Sequence, residues 1–169
     1  MNDCLFFGYN QSPILIPNEP NSIKRPIPFK FENENENENE NQIKKIASGY
    51  YSTIFLFKNG KAIEYFVHNN PIQNPQEIPF ENIQKVTVGH ENLAILTIEG
   101  NVFAKGIDIN SKNPNQFINI SSLIEDTNDR IIQDIISTSQ SIYLLTSNQN
   151  AYGIGSNQFG QLGFDSENT

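Results

Sequence analysis

The side chains best suited to chemistry are His68, His90, Cys4 and the carboxylates Asp108, Asp126, Asp129 and Asp134. A zinc site needs several Cys, His or carboxylate ligands at short spacing, and two separate histidines with a remote Cys4 supply no such cluster. His90 falls in a turn between strands and reads as a surface histidine. No G-x-S-x-G elbow marks a serine nucleophile. The four aspartates read as solvated loop carboxylates, because an acid/base pair needs a shaped pocket that drives two pKa values apart. The sequence therefore predicts no catalytic residue, no metal and no cofactor.

The stretch "YGIGSNQFGQLG", Tyr152 to Gly163, poses the remaining chemical question. A dinucleotide fingerprint needs G-x-G-x-x-G running into a helix whose N-terminus receives the pyrophosphate. Gly153 and Gly155 are followed by Gly160, two residues too late, and "QLGFDSENT" is no amphipathic helix. The G-K-[ST] of a phosphate loop is absent. Turn punctuation is the better reading. Gly155, Gly160 and Gly163 permit positive φ and close approach. Asn157 is expected to brace the turn, and Leu162 to reach the core.

What positions these residues is a repeat. "IKKIASGYYSTIFLFKNGKAIEYF" from Ile43, "IQKVTVGHENLAILTIEGNVFAKG" from Ile83 and "IQDIISTSQSIYLLTSNQNAYGIG" from Ile132 align without gaps. Ile46, Val86 and Ile135 coincide, as do Phe55, Ile95 and Leu144. Gly49 matches Gly89, and Gly60 matches Gly100; the third copy carries Thr138 and Gln149 at these places. Each copy, 43–66, 83–106 and 132–155, reads as three strands, with "KNGK" and "IEGN" as hairpin turns. "IPF" at Ile27–Phe29, "IPF" at Ile78–Phe80 and "FINI" at Phe117–Ile120 precede the copies as a further, proline-limited strand. Ile120 to Ile136 has room for a helical turn. "LFFGYNQSPIL" from Leu5 places Gly8 and Asn10 where Gly155 and Asn157 stand later. Residues 1–31 thus read as the end of one blade running into the next. Aromatics at repeat positions, among them Phe55, Tyr65 and Tyr152, read chiefly as core.

The 169 residues suit one domain, or a piece of something larger, and the whole of 1–169 reads as one partial array. "ENENENENENQ", Glu32 to Gln42, is a low-complexity acidic loop with no apolar residue. Nineteen acidic against eleven basic residues give a net charge of −8. That balance disfavours nucleic acid and anionic membranes and leaves a basic protein partner open. The lone cysteine, the absence of a signal peptide and the lack of a spanning apolar run point to the cytoplasm or nucleus.

"GSNQFGQLG", with Gly160, Gln161, Leu162 and Gly163, resembles the signature of the regulator of chromosome condensation repeat. So does I-x-x-I-A-x-G, followed by a serine-bearing strand, an "NG" turn and an aromatic strand ending in glycine. "VFAKG", ending at Gly106, and "AYGIG", with Gly153 and Gly155, are similar to that last strand. The likeness covers nearly the whole chain outside Glu32 to Gln42. It departs at the usual His-Ser, which is Tyr51-Ser52 and Glu91-Asn92 here. The resemblance implies an all-β fold: a partial β-propeller of roughly three four-stranded antiparallel blades, out of seven in the complete ring.

Two functions follow from the resemblance. One is a protein-interaction module that binds through loops between strands. The other is part of a guanine-nucleotide exchange factor for a small GTPase such as Ran, which requires the complete ring. Neither makes the chain an enzyme with covalent chemistry. Open blade edges also invite self-association.

Overall fold

The structure is a computed structural model. It describes the backbone of residues 4–9 and 22–29 and the whole of residues 42–66, 75–106 and 113–163. The acidic loop, except Gln42, lies outside the described residues, as do Asn10, His68 and Asp108.

The chain is all-β and forms successive antiparallel sheets. β1 (Cys4–Tyr9) pairs with β2 (Ser22–Phe29), a strand that contains Pro26 and Pro28. β3 (Ile43–Ser48), β4 (Ser52–Phe57), β5 (Ala62–Phe66) and β6 (Gln76–Glu77) make a four-stranded sheet in that order. β7 (Ile83–Val88), β8 (Leu93–Thr97), β9 (Val102–Lys105) and β10 (Ile118–Asn119) make the second. β11 (Ile132–Ser137), β12 (Ser141–Thr146) and β13 (Ala151–Gly155) make the third, with three strands among the described residues.

The three sheets repeat one another down to their irregularities. The ladder slips between Ile43 and Lys45, between Ile83 and Lys85 and between Ile132 and Asp134. A bulge at one recurring place bends each first strand alike. The first strands β3, β7 and β11 approach one another across the sheets.

Burial follows the stacking. β8 is buried along its whole length because sheets cover both its faces. Its residues alternate as pleating requires. Leu93 and Ile95 join Ile54, Leu56, Ala62, Ile83 and Val86 in the core between the first and second sheets. Ala94 and Leu96 join Ile132, Ile135, Ile142 and Leu144 in the core between the second and third. In β12 the half-buried Tyr143 and Leu145 alternate with buried Ile142 and Leu144, the pattern of a sheet packed on one face.

The segment Ile78–Phe80 differs from its expected strand. Pairing is confined to Gln76 and Glu77, opposite Glu64 and Ile63. Pro79 carries no N–H, so the ladder ends there. Ile78 still donates to the Ala62 carbonyl at 2.9 Å and is buried. Phe80 stacks on Phe103 at 4.4 Å between ring centroids. Between Ile120 and Ile136 the chain makes two 3-10 turns, Ser121–Leu123 and Thr127–Asp129, before entering β11.

Candidate functional site

The strands alternate in direction, so the turns sort to two ends of the stacked sheets. One end carries the β3–β4, β7–β8 and β11–β12 turns. The other carries the β4–β5, β8–β9 and β12–β13 turns.

At the first end, glycine lets successive turns touch. Gly49, Gly89 and Thr138 are equivalent positions. A methyl group on Gly49 would overlap the Gly89 carbonyl, and one on Gly89 would overlap the Thr138 carbonyl. Each turn therefore seats on the backbone of the next. The second turn is tied down further: His90 N–H donates to the Ser139 carbonyl at 3.1 Å. The Asn92 amide donates to the Thr138 and Ser139 carbonyls at 3.2 and 3.1 Å. Gly106 and Gly155 lie against the Glu91 and Gln140 carbonyls of their own sheets.

The same contact brings three rings together. Tyr50 stacks on His90 at 4.5 Å between centroids and 29° between planes. Tyr51 meets Tyr50 edge-on at 4.7 Å and His90 edge-on at 5.3 Å. Tyr50 is 71% exposed. Beside the rings opens a cleft of about 320 Å³ between the first two sheets, lined by Tyr51, Glu64, Phe66, Glu91, Lys105 and Asn115 among others. On its wall the Lys105 ammonium lies 2.5 Å from the Glu64 carboxylate, and both side chains are largely buried. Lys105 also sits 5.3 Å from the Phe117 ring centroid and 5.9 Å from that of Phe66, within cation–π range.

Along the first strands, Lys45, Lys85 and Asp134 occupy matching positions. Lys85 pairs with Asp134 across the sheets. Lys85 holds the Asp134 carboxyl below the usual carboxylate range, helped by the Ile135 N–H and by Lys45. Burial, then the neighbouring Lys85, pushes the Lys45 ammonium pKa down against the pull of Asp134.

At the second end, Gly60 and Gly100 take φ of +82°, and Gln149, in the same place, takes +67°. The Gly60 and Gly100 carbonyls accept from the N–H of Ile83 and Ile132 in the following sheets, at 2.9 and 3.1 Å. Here also lies Asp129, which is 3% exposed. It accepts from Tyr152 Oη at 2.8 Å, Asn150 Nδ2 at 2.6 Å and Asn148 Nδ2 at 3.0 Å. These donors, Tyr152 first, hold its carboxyl below the usual range, and the hydrogen bond to Asp129 in turn raises the Tyr152 phenol.

The expectation of four solvated loop carboxylates is thus corrected for two. Asp129 is a buried hub because polar side chains of the β12–β13 hairpin fold onto it. Asp134 is a strand residue paired with a lysine. Asp126 accepts from the Asn128 N–H at 2.9 Å and opens a 3-10 turn. Among the described residues, no group of three or more His, Cys, Asp or Glu is placed to hold a metal ion.

The glycine stretch is a connection folded back on its own sheet. Gly153 lies inside β13 and Gly8 inside β1. Asn157 Oδ1 accepts from the Leu162 N–H at 2.9 Å, and Tyr143 Oη donates to the Gln161 carbonyl at 2.6 Å. A methyl group on Gly153 would stand 2.8 Å from a Leu162 methyl, so Leu162 occupies the space that glycine vacates. Gly160 and Gly163 have φ of +68° and +86° with open space around them, so they serve the turn rather than a close approach.

Repeated antiparallel sheets stacked face to face, with their first strands converging, define a partial β-propeller. Solved structures similar to this chain include propellers like the regulator of chromosome condensation. Human WBSCR16 matches with a TM-score of 0.70 at 16% identity, over 95% of this chain and 45% of its own. Prp20p from Saccharomyces cerevisiae matches with a TM-score of 0.70 at 14% identity, over 95% and 39%. Yeast RCC1 (Prp20) in complex with Kap60 matches at 0.60 and 20% identity, over 92% and 39%. The chain therefore spans less than half the length of each. No protein-family model matches the sequence, and no curated protein matches it. The likeness is one of fold.

Proposed function

We propose that this chain is a protein-interaction module of the regulator-of-chromosome-condensation type, binding a partner through the turns at its first end. The observation that carries this reading is the Tyr50–Tyr51–His90 cluster, in which half-buried Tyr51 and His90 hold the exposed Tyr50 ring. Aromatic side chains held rigid on turns are strong anchors, because they contribute large contact area and lose little freedom on binding. The surplus of acidic residues favours a basic partner surface.

In this reading residues 1–169 are one partial propeller, with copies at 43–66, 83–106 and 132–155. The glycines, with Asn10, Asn157, Gln161 and Leu162, are structural. The protein acts in the cytoplasm or nucleus. Stringent pull-down with the 169-residue chain and with Tyr50→Ser/His90→Ser tests it. A partner retained by the first and lost by the second supports the reading. No partner, or one indifferent to the variant, refutes it.

A second reading is part of an exchange factor for a small GTPase. It draws on Prp20p, whose structure is described with its binding to Gsp1p and histones. Labelled GDP release from a panel of small GTPases decides it, and no acceleration by the full-length protein eliminates it.

A further inference from the structure

The ring cluster and the cleft beside it have a more specific character than a general anchor. Tyr50 is 71% exposed and its ring rests on His90, with Tyr51 standing perpendicular to both. The Glu91 carboxylate lies 3.7 Å from His90 Nδ1, with its side chain about half exposed. The one cation lining the cleft among the described residues, Lys105, is held by the Glu64 carboxylate at 2.5 Å. Its positive charge is therefore offset, and Glu91 is the carboxylate facing solvent beside the rings.

A flat aromatic surface next to a solvent-facing carboxylate suits a planar cation. The guanidinium group stacks on ring faces and presents a fork of donors that matches a carboxylate. The net charge of −8 attracts such a group from a distance. From this geometry we propose that the Tyr50–Tyr51–His90–Glu91 corner binds an arginine side chain of a basic polypeptide. The guanidinium stacks on the face of the Tyr50 ring turned away from His90, and the Glu91 carboxylate beside His90 supplies the attracting charge. This rests on the protein-binding reading above and gives it a ligand chemistry.

The test uses the 169-residue chain and two probes: acetyl-Gly-Gly-Arg-Gly-Arg-Gly-amide and the same peptide with citrulline for arginine. Citrulline keeps the planar shape and removes the charge. Titration followed by NMR reads the ring resonances of Tyr50, Tyr51 and His90. The arginine peptide is expected to shift these three rings saturably, and the citrulline peptide to leave them unmoved. Tyr50→Ala and Glu91→Gln are each expected to weaken binding about fivefold to tenfold. Glu99→Gln, in the β8–β9 turn at the opposite end, is expected to leave it unchanged.

Equal shifts from both peptides, no ring shifts, or equal weakening by Glu99→Gln would each overturn the proposal. The last outcome would mean diffuse charge attraction. If the peptide fails while partner capture still depends on Tyr50 and His90, the arginine site falls and the interaction module stands. If the peptide binds as expected while no partner is captured, the arginine site stands and the interaction module falls.

Discussion

Lys105 and Glu64 face one another at 2.5 Å from the third strands of neighbouring sheets, β9 and β5. A charged pair so enclosed joins two sheets whose shared core is apolar. Its geometry also leaves the rings beside it without an uncompensated cation.

Removing one partner leaves the other largely buried charge without its counter-ion, which costs about 1–3 kcal/mol. Glu64→Gln is therefore expected to lower the denaturant midpoint sharply. The double variant Glu64→Leu/Lys105→Met is expected to recover much of the loss, since an apolar pair of similar volume avoids the desolvation penalty. Equilibrium unfolding of the single and double variants checks both statements.

At Gly89 consecutive turns leave no room for a side chain. Its replacement by alanine drives a methyl group into the Thr138 carbonyl, so the third turn must move. The expected loss is about 2–3 kcal/mol. The displacement also disturbs the Asn92 hydrogen bonds to Thr138 and Ser139. Thermal unfolding of Gly89→Ala, with Gly160→Ala as a comparison in open space, measures the difference.

Gln149 keeps a left-handed φ of +67° where the first two copies have glycine. A side chain there costs about 1 kcal/mol, so Gln149→Gly is expected to stabilise the chain by about that amount. The only described side-chain bond lost is the exposed one to Gln133 at 3.2 Å. A higher denaturant midpoint is the expected result.

Asp129 links stability to pH. Its folded carboxyl is depressed by Tyr152, Asn148 and Asn150 relative to an unfolded value of about 3.9. The stability it contributes is complete above that unfolded value. It is lost as pH falls through the lower folded one. Asp134, depressed by Lys85, contributes with the same sign. Asp129→Asn is expected to flatten the fall in stability below about pH 4. Urea midpoints measured from pH 5 down to pH 2 provide the check.

Much of the fold was legible because each copy states its own strands. Apolar runs bounded by Asn-Gly or Glu-Gly specify β4–β5 and β8–β9 locally, and the aligned Ile46, Val86 and Ile135 mark the first strands. The fourth strands were less legible, since Pro79 displaces Ile78–Phe80 from the ladder. Asp129 and Asp134 were misread for a different reason. Their partners lie 23 and 49 residues away, and no local pattern announces a bond between sheets or across a hairpin. The Tyr50–His90 stack left a trace: the two residues hold the same place in successive copies. Only the turn-on-turn contact at Gly49 and Gly89 shows that equivalence becoming proximity.

The proposed binding face is the end that carries Tyr50. The most direct measurement places the photo-crosslinker benzoyl-phenylalanine at position 50 in one sample and at position 59, in the β4–β5 turn at the other end, in a second. Both are irradiated in the native cellular setting. A discrete adduct is expected from position 50 and none from position 59. Adducts from both positions alike, or from position 59 alone, would contradict it.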